Sequence, residues 1–504
     1  MTARRSAAAP GLIALCAALV LLSAPMAGAQ SPAAETGPSA LTVNQAVARA
    51  LANQPLIQQA QAAVEAARAR VGEAQASYYP FVNGTASYNR LSDQSFSIAS
   101  VLPPSVPLSS LVPPSLLPLF ESPLSLVPVD NWDFSVGLNQ VIYQFGKRGI
   151  QVKLAENGVA AAQIGVEQIQ VSLAYQTVQV FYSVLFLRDQ LAALDSQMKN
   201  LQEHLDGVHA RMETGSASKY DELSTEARVT ALQSQRIDAQ NMLDKAEIGM
   251  RQLLGMDEAA PLALEGSFAP SLTGVPDPGA LLGASLANRT EVRQAAEAES
   301  AAELGRRLVF ASSLPTLSAH ASFGYKTGIL PNLNSLTMDW VAGVNLNVPV
   351  FQGFMALRQR DEALGKLEGA RANSLAVKRT VTTQVLQAIR DVQAARSQVE
   401  SAQAQLDQAQ QVLEVVKVQY DLGLLTNLEY LDAQAGLERA QLGSLQAQYR
   451  NVLGEYALRQ ATGEKIWTAA TDPAATDPTA TAQPAAANPA ATPQPAAASP
   501  AAAQ

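Results

Sequence analysis

The acidic and hydroxyl side chains best placed to do chemistry lie in two short segments that share one spacing. The segments are GSASKYD (Gly215–Asp221) and GLLTNLE (Gly423–Glu429), each with Gly, then Ser or Thr three residues later, then an acid after three more. Gly can end a helix in the left-handed conformation, the Ser or Thr can cap the next helix, and the acid can complete a capping box. Capping alone accounts for these residue types, while a second interpretation adds a role for both acids in lining an opening.

Asp432 follows the second segment but lies outside its capping box. An acid with no local structural task is the better single candidate for a pore. Carboxylates repeated around an opening would attract cations.

Catalytic chemistry has little support in this sequence. His204 and His209 are five residues apart, which is a poor spacing for sharing a ligand on a helix, so we interpret both as surface residues. The chain has one cysteine, Cys16, and shows neither a Gly-rich phosphate loop nor a paired nucleophile and base. We therefore expect no enzyme activity, no cofactor and no metal site.

The N-terminus has the pattern of a secretory signal peptide over residues 1–29. Two arginines precede the apolar run Gly11–Leu22, and Ala-Gly-Ala at 27–29 supplies the small residues of a cleavage site. Cys16 lies inside this segment, and Leu15 before it argues against lipid attachment. The remaining chain has no run of about 18 apolar residues, so we predict an exported protein without a helical anchor. The net charge of the full chain, −9, argues against nucleic acid as a partner.

The chain contains a tandem duplication. LANQPLIQQA from Leu51 matches LANRTEVRQA from Leu286 at an offset of 235, whereas later pairs such as Trp132 and Trp340 keep an offset of 208. The difference of 27 residues indicates an insertion, which we place in the Pro-, Ser- and Leu-rich loop 91–129. We predict a first repeat over 30–262, a second over 263–467 and a disordered Ala/Pro-rich periplasmic tail over 468–504.

Each repeat contains a predicted β-hairpin, over 81–143 and 317–351. Polar and apolar residues alternate with period two over about ten residues per strand, which is typical of outer-membrane barrel strands. The strands carry four aromatic residues at one predicted level, as in an interfacial girdle: Tyr88, Trp132, Phe323 and Trp340. Two hairpins of a soluble sandwich are the alternative interpretation.

Long helices follow the hairpins. Residues 147–214 would form a helix roughly 100 Å long at 1.5 Å per residue, and the predicted helices 43–77 and 216–254 are each about half that length, so that together they match it. Two heptad faces repeat at the offset of 208 and predict equivalent surroundings. The first heptad face is Leu187, Leu191, Leu194, Met198, Leu201, Leu205, Val208 and Met212, and the second is Ala395, Val399, Ala402, Leu406, Ala409, Leu413, Val416 and Tyr420.

Four strands cannot close a membrane barrel alone. Lipid leaves the backbone groups of an open sheet edge unsatisfied, and about eight strands are the practical minimum for a barrel. The chain must therefore form an oligomer through its strands, a dimer giving a filled tube and a trimer giving one with a lumen.

The chain resembles the TolC-like outer-membrane efflux proteins from Leu41 to about Trp467. The resemblance rests on LTVNQAVARALANQP, on ASYYP and SSLP at the helix-to-strand junctions, on VPVFQG, and on the turns GSASKYDEL and GLLTNLEYLDAQ, all in duplicated order. It implies an α+β membrane protein in the cell outer membrane. A homotrimer would share a 12-stranded transmembrane β-barrel in outer-membrane lipid, continued by an α-helical coiled-coil barrel in the periplasm.

The resemblance also implies partners and site residues. A periplasmic adaptor (membrane fusion) protein would join the channel to an inner-membrane pump of RND, ABC or MFS type. Carried over by position, the adaptor-docking turns are Gly215, Ala217, Ser218, Gly423, Leu424 and Thr426, and the periplasmic gate or constriction is Asp221, Tyr420, Glu429 and Asp432. One departure is Leu425, at a position where relatives often carry a basic gate residue.

The function implied is that of an exit channel in a tripartite efflux or type I secretion system, exporting small molecules, proteins or both. The alternatives are a passive outer-membrane channel and an envelope coiled-coil scaffold without a pump partner.

Overall fold

A computed structural model describes residues 40–92, 95–96, 112–115, 124–125, 128–268, 277–329 and 334–467. The predicted signal peptide, the predicted tail and most of loop 91–129 lie outside these residues. Among the described helices, none is long and apolar enough to cross a membrane.

Four long strands form one antiparallel sheet. They are β1 (Phe81–Arg90), β4 (Asp130–Tyr143), β5 (Thr316–Lys326) and β6 (Thr337–Asn347), in the order β1-β4-β5-β6. Each repeat contributes one hairpin, and β4 pairs with β5 to join the two. The last strand ends at Asn347 and not at the predicted 351. Between β1 and β4, the short strands β2 (Ser95–Phe96) and β3 (Leu124–Ser125) pair with each other inside the loop 91–129.

The strand register gives the sheet one apolar and one polar face. Cross-strand partners point to the same side of a sheet, so a run of apolar pairs across the strands defines a continuous face. Val136 pairs with Gly84 on one side and with Phe323 on the other, and Phe323 in turn pairs with Trp340. The opposite face carries Asn83, Thr85, Ser135, Asn139, Ser318, His320 and Ser322.

The hairpins continue into two rods of equal length. The helices α3 (Lys147–Glu213) and α7 (Met355–Asp421) each have 67 residues, and each is followed after a turn by a 36-residue helix, α4 (Lys219–Leu254) or α8 (Asn427–Thr462). The α3 and α4 helices pack together, as do α7 and α8, and α3 also packs against α8. By their main contacts, these helices follow the order α4-α3-α8-α7, and near the turns α4 also contacts α8 and α3 also contacts α7.

The single helix predicted over 43–77 is wrong. The structure has α1 (Val43–Asn53) and α2 (Pro55–Ala76), and the second repeat has the matching pair α5 (Pro278–Asn288) and α6 (Thr290–Ser312). Pro55 signals the first break, because the residue before a proline is disfavoured in the helical region. Thr290 occupies the matching place in the second repeat, so its break needs another cause.

Contacts with the ends of α4 and α8 supply that cause. The side chain of Gln54 donates hydrogen bonds to the carbonyl oxygens of Gln252 and Leu253 at 2.9 and 2.8 Å. In the second repeat, Arg289 approaches the matching carbonyls of Gln460 and Ala461 at 3.4 Å. The last carbonyls of a helix have no partner within it, so each break places a donor where one is required. The short helices thus meet the end of the returning helix, as the length matching predicted.

The two heptad faces do not have equivalent surroundings in one chain, which contradicts the prediction. Five of the eight residues of the first heptad face are buried, against two of eight, Ala395 and Tyr420, on the second. The reason is the helix order: α3 lies between α4 and α8, whereas the main neighbour of α7 in this region is α8, with α3 touching it at Tyr420 and Asp421.

The largest buried cluster lies where the returning helices end. Phe181 on α3 is fully buried and packs with Met250 and Leu254 from α4, together with Val452 and Tyr456 from α8. Burial of large apolar side chains contributes roughly 1.5–3 kcal/mol each. This core therefore joins both repeats and holds the long helices in place at the ends of α4 and α8 that lie farthest from the two turns.

Candidate functional site: the two helical turns

The two turns have the same backbone geometry. Gly215 and Gly423 adopt left-handed conformations with φ of 75° and 74°. The next amide donates back to the carbonyl five residues earlier, from Ser216 to Arg211 at 2.7 Å and from Leu424 to Gln419 at 2.9 Å. This pattern is the Schellman motif, which favours Gly because a Cβ atom is disfavoured at that φ.

Both predicted capping boxes form. Ser218 accepts from the amide of Asp221 at 3.2 Å, and the Asp221 carboxylate accepts from the Ser218 amide at 2.9 Å. Thr426 and Glu429 make the same reciprocal pair at 3.3 and 2.8 Å. The amide of Thr426 lowers the pKa of the Glu429 carboxyl, since it hydrogen-bonds the charged form. Asp221 and Glu429 thus each have a structural task at a helix start.

A cluster of side chains joins the two repeats just inside the turns, and we call it the tip cluster. It consists of His204 and Arg211 from α3, Tyr420 and Asp421 from α7, and Asn427 and Tyr430 from α8. The guanidinium of Arg211 lies 4.4 Å from the centroid of the Tyr420 ring and donates to Asp421 at 2.9 Å. The ring of His204 stacks on Tyr430 with centroids 4.1 Å apart.

Asn427 is the most connected member of the tip cluster. It is 4% exposed, and its amide nitrogen lies 3.1 Å from both the Asp221 carbonyl and the Thr225 hydroxyl, so it donates to the start of α4. Its Oδ1 lies 2.7 Å from Nε2 of His204, which makes that nitrogen the donor. One buried amide therefore connects α8 with α3 and α4 of the first repeat.

The interpretation of His204 as a surface residue is wrong. The ring is largely enclosed in the tip cluster, and burial lowers its pKa below the ordinary 6.5, with Arg211 acting in the same direction. Burial also raises the pKa of the Tyr420 hydroxyl. Spacing along one helix gave no indication of this, because the partners of His204 come from the other repeat.

Asp432 and Leu425 differ from the other gate candidates in their surroundings. Asp432 is exposed on α8, and among the described residues it forms no ion pair, so its carboxylate remains available for ions in water. Leu425 is partly exposed and offers no charge. The cation beside Tyr420 is instead Arg211, which comes from the other repeat.

Most of the six predicted docking residues are exposed at the turns. Gly215, Ser218, Gly423 and Thr426 are exposed, Ala217 is half-buried, and Leu424 is 71% exposed. The structure thus places all six at the end of the molecule opposite the sheet, separated from it by the length of the rods.

The four aromatic residues of the predicted girdle share one face of the sheet and are all exposed. Tyr88 pairs with Trp132, and their rings lie 4.5 Å apart. Phe323 pairs with Trp340 but stands opposite Val136, four residues along β4 from Trp132. The two pairs are therefore staggered along the sheet, and strands must tilt for them to share one level.

An amphipathic sheet continued by long antiparallel helices is the fold of a known class of outer membrane channel. The CmeC outer membrane channel of Campylobacter jejuni superposes with a TM-score of 0.70 at 18% identity, over 84% of this chain and 85% of that chain. The pattern of the outer membrane efflux protein family matches residues 46–256 and 281–464. The chain belongs to this family, is TolC-like, and is located in the outer membrane with its helical part in the periplasm.

Relatives by sequence agree with this assignment. The outer membrane efflux protein BepC of Brucella suis is 25% identical over 337 residues, which is 65% of this chain and 71% of BepC. The outer membrane protein TolC of Escherichia coli is 23% identical over 370 residues, covering 69% of this chain and 74% of TolC.

Proposed function

We propose that three copies of this chain form the outer-membrane exit channel of a tripartite efflux or type I secretion system. Each copy contributes four strands to a 12-stranded barrel, and the rods form a tunnel through the periplasm. A periplasmic adaptor docks at the helical turns and connects the tunnel to an inner-membrane pump of RND, ABC or MFS type. The cargo is small molecules, proteins or both.

The observation that carries this proposal is the pair of open sheet edges. Among the described residues, β1 and β6 each have a strand partner on one side only, and one face of the sheet is predominantly apolar. Lipid cannot satisfy the backbone groups of an open edge, so the edges require other copies of the chain. Pairing β6 of one copy with β1 of the next closes the ring without any other protein.

The helical layer has open edges of the same kind. The outer face of α7 exposes Val412, Val415 and Val418 at 52–57%, and α4 exposes Ile237 and Met242 at 59% and 57%. Contiguous apolar side chains on a helix favour a further helical partner. Packing α7 of one copy against α4 of the next would bury both sets and continue the ring formed by the strands.

The tip cluster and Asp432 support a gate near the turns. The cluster holds the two helical hairpins of one chain together, so it acts in closure, with Arg211 supplying the positive charge that Leu425 lacks. Asp432 presents a carboxylate that a threefold axis would repeat as a ring, and such a ring attracts cations.

Cysteine cross-linking tests the ring. The processed chain would contain no cysteine, so Thr85→Cys on β1 can be combined with Val341→Cys or Asn345→Cys on β6. Oxidation of intact outer membranes is expected to give covalent trimers with at least one β6 position. Ser135→Cys on the central strand β4 replaces Thr85→Cys in the control, which should give no links between chains. Equal linking from the central strand, or only monomers from every pair, would refute the ring.

Complementation tests export and identifies the cargo. A host that lacks its own exit channels is given this chain with a candidate adaptor and pump, and dye accumulation and protein release are measured separately. Lower accumulation supports small-molecule efflux, and release of a substrate protein supports secretion. Trimers that conduct ions in a bilayer but support neither process with any adaptor would instead indicate a passive channel.

A further inference from the structure

Three side chains near the first turn form a cluster that the proposed function does not use. They are His209 on α3 and Glu222 and Glu226 on α4. One ring nitrogen of the histidine and one oxygen of each carboxylate all lie within 4.8 Å of one another. The cluster joins the two helices of the first repeat within about two helical turns of Gly215.

The histidine nitrogen is enclosed without a hydrogen bond. Nε2 of His209 is shielded from solvent and has no hydrogen-bond partner among the described residues, although Oε1 of Glu222 lies 3.4 Å away. A buried nitrogen that makes no hydrogen bond is unfavourable. A cation between this nitrogen and the carboxylate would satisfy both.

We propose that His209, Glu222 and Glu226 bind a divalent transition-metal ion of the zinc type, with water as a fourth ligand. Zinc binds imidazole nitrogen and carboxylate oxygen at about 2.0–2.2 Å in tetrahedral geometry, so two of its ligands lie roughly 3.4 Å apart. The separation between His209 and Glu222 matches this value. Magnesium and calcium prefer oxygen ligands alone, so a site with a nitrogen ligand does not suit them.

Helix geometry suits the third ligand. Residues four apart on a helix project from the same face, so Glu226 points to the same side of α4 as Glu222. Glu222 is 8% exposed and held by its surroundings, whereas Glu226 is exposed and can turn to complete the site. The spacing of the two histidines within α3 gives no indication of this site, because its two acids come from the next helix.

The site is confined to the first repeat. At the offset of 208, the second repeat has Lys417, Tyr430 and Gln434 in place of the three ligands. A lysine, a phenol and an amide do not form such a site. Metal binding would therefore join α3 to α4 and stiffen the first hairpin while leaving the second unchanged.

Lys219 competes with the metal. Its Nζ pairs with Oε2 of Glu222, and the lysine side chain is 66% exposed. A positive charge beside a ligand lowers the affinity for a cation through repulsion. Removing this charge should strengthen metal binding, which distinguishes a real site from adsorption at arbitrary surface acids.

The test uses purified full-length protein in detergent, stripped of metal with a chelator. Zinc titration by calorimetry is expected to show one site per chain, and cobalt to give the visible absorption of a nitrogen- and oxygen-ligated ion. His209→Ala and Glu226→Gln should each weaken zinc binding at least tenfold. Glu213→Gln, an exposed acid on the same helix, is the matched control and should bind as the unmodified protein does.

Lys219→Gln should tighten zinc binding several-fold. Unchanged affinity in His209→Ala would overturn the proposal, as would the absence of zinc binding in Lys219→Gln. Circular dichroism of each variant confirms folding independently. Because binding is measured without adaptor or pump, failure here leaves the proposed export function untouched, and the reverse also holds.

Discussion

The two helical turns share a backbone and differ in almost every side chain. Gly215 and Gly423 end the rods with the same φ, and each following helix starts with the same kind of capping box. The first turn continues with the small residues Ser216 and Ala217, whereas the second exposes Leu424. The two turns share only the Gly and the capping-box residues that set the backbone conformation. The side chains at the other positions differ and make different contacts.

Asn427 provides the largest contrast between the repeats. It begins α8 buried in the tip cluster, while its counterpart Lys219 begins α4 in solvent. We expect Asn427→Ala to destabilise the contact between the repeats by about 2–4 kcal/mol, because several buried partners lose their hydrogen bonds together. The weakened contact should be measurable as faster hydrogen exchange at the start of α4 and as higher channel conductance.

Lys219→Ala, measured in metal-free buffer, is the matched control for this prediction and should change neither measurement appreciably. If both variants behave alike, the tip cluster does not hold the hairpins together.

Substitution of the two glycines tests whether both turns have the same function. Replacing Gly215 or Gly423 by valine should cost about 1–2 kcal/mol at each turn, since a side chain is disfavoured at positive φ. A Cβ atom would meet nothing within 4 Å at either site, so the cost is one of conformation alone. We expect the double variant to form trimers and to lose export.

Gly369→Ala, in the exposed interior of α7, is the control and should leave export unchanged. Normal export by the double variant would remove the turns from adaptor docking, and a defect from only one turn would assign docking to that repeat.

The capping boxes predict equal effects. Ser218→Ala and Thr426→Ala should each destabilise the start of their helix by about 1 kcal/mol. Local hydrogen exchange at the first turns of α4 and α8 measures this. A clearly larger loss in Thr426→Ala would show that the tip cluster depends on that cap beyond its local effect.

Acid should weaken the tip cluster. The pKa of His204 is lowered by burial, so an opened state takes up a proton more readily than the closed one. The contribution of His204 to the stability of the closed state is therefore fully present above pH 6.5 and decreases as the pH falls below that value. Conductance should rise on acidification in this range, and His204→Gln should remove that response while His320→Gln retains it.

The smallest expected effect is that of Asp432→Asn, which should leave stability unchanged and reduce the cation preference of single channels. Its counterpart in the first repeat is Ser224, so one acid per chain is removed. Asp407→Asn, an exposed acid on α7, is the control. An unchanged ion preference would exclude Asp432 from the constriction.

Local rules predicted the strands, the rods and the turns from the sequence. Period-two patterning placed the starts of β1 and β5 to within a residue, and Gly followed by Ser or Thr and an acid predicted both capping boxes. These features depend on neighbours within a few residues along the chain. Pro55 is a further local signal, and it favours a break within 43–77.

Contacts between the repeats could not be predicted from local sequence patterns. The environment of His204, the break before Thr290 and the cation beside Tyr420 all depend on residues about 170 to 225 positions away. The strand-to-helix junctions show the same limit. Both use two consecutive left-handed residues, but Phe145 precedes its Gly in the first repeat and Phe354 follows its Gly in the second. The surrounding structure stabilises each phenylalanine in an unfavourable conformation.

The sequence by itself determined the duplicated elements, the alternating faces and the ends of the helices, because hydrophobic period and helix capping act over short distances. Only the tertiary structure decided which heptad face is buried and which residues from the two repeats meet at the turns. Those outcomes depend on the order in which α4, α3, α8 and α7 pack, and that order is set by burial summed over the whole chain.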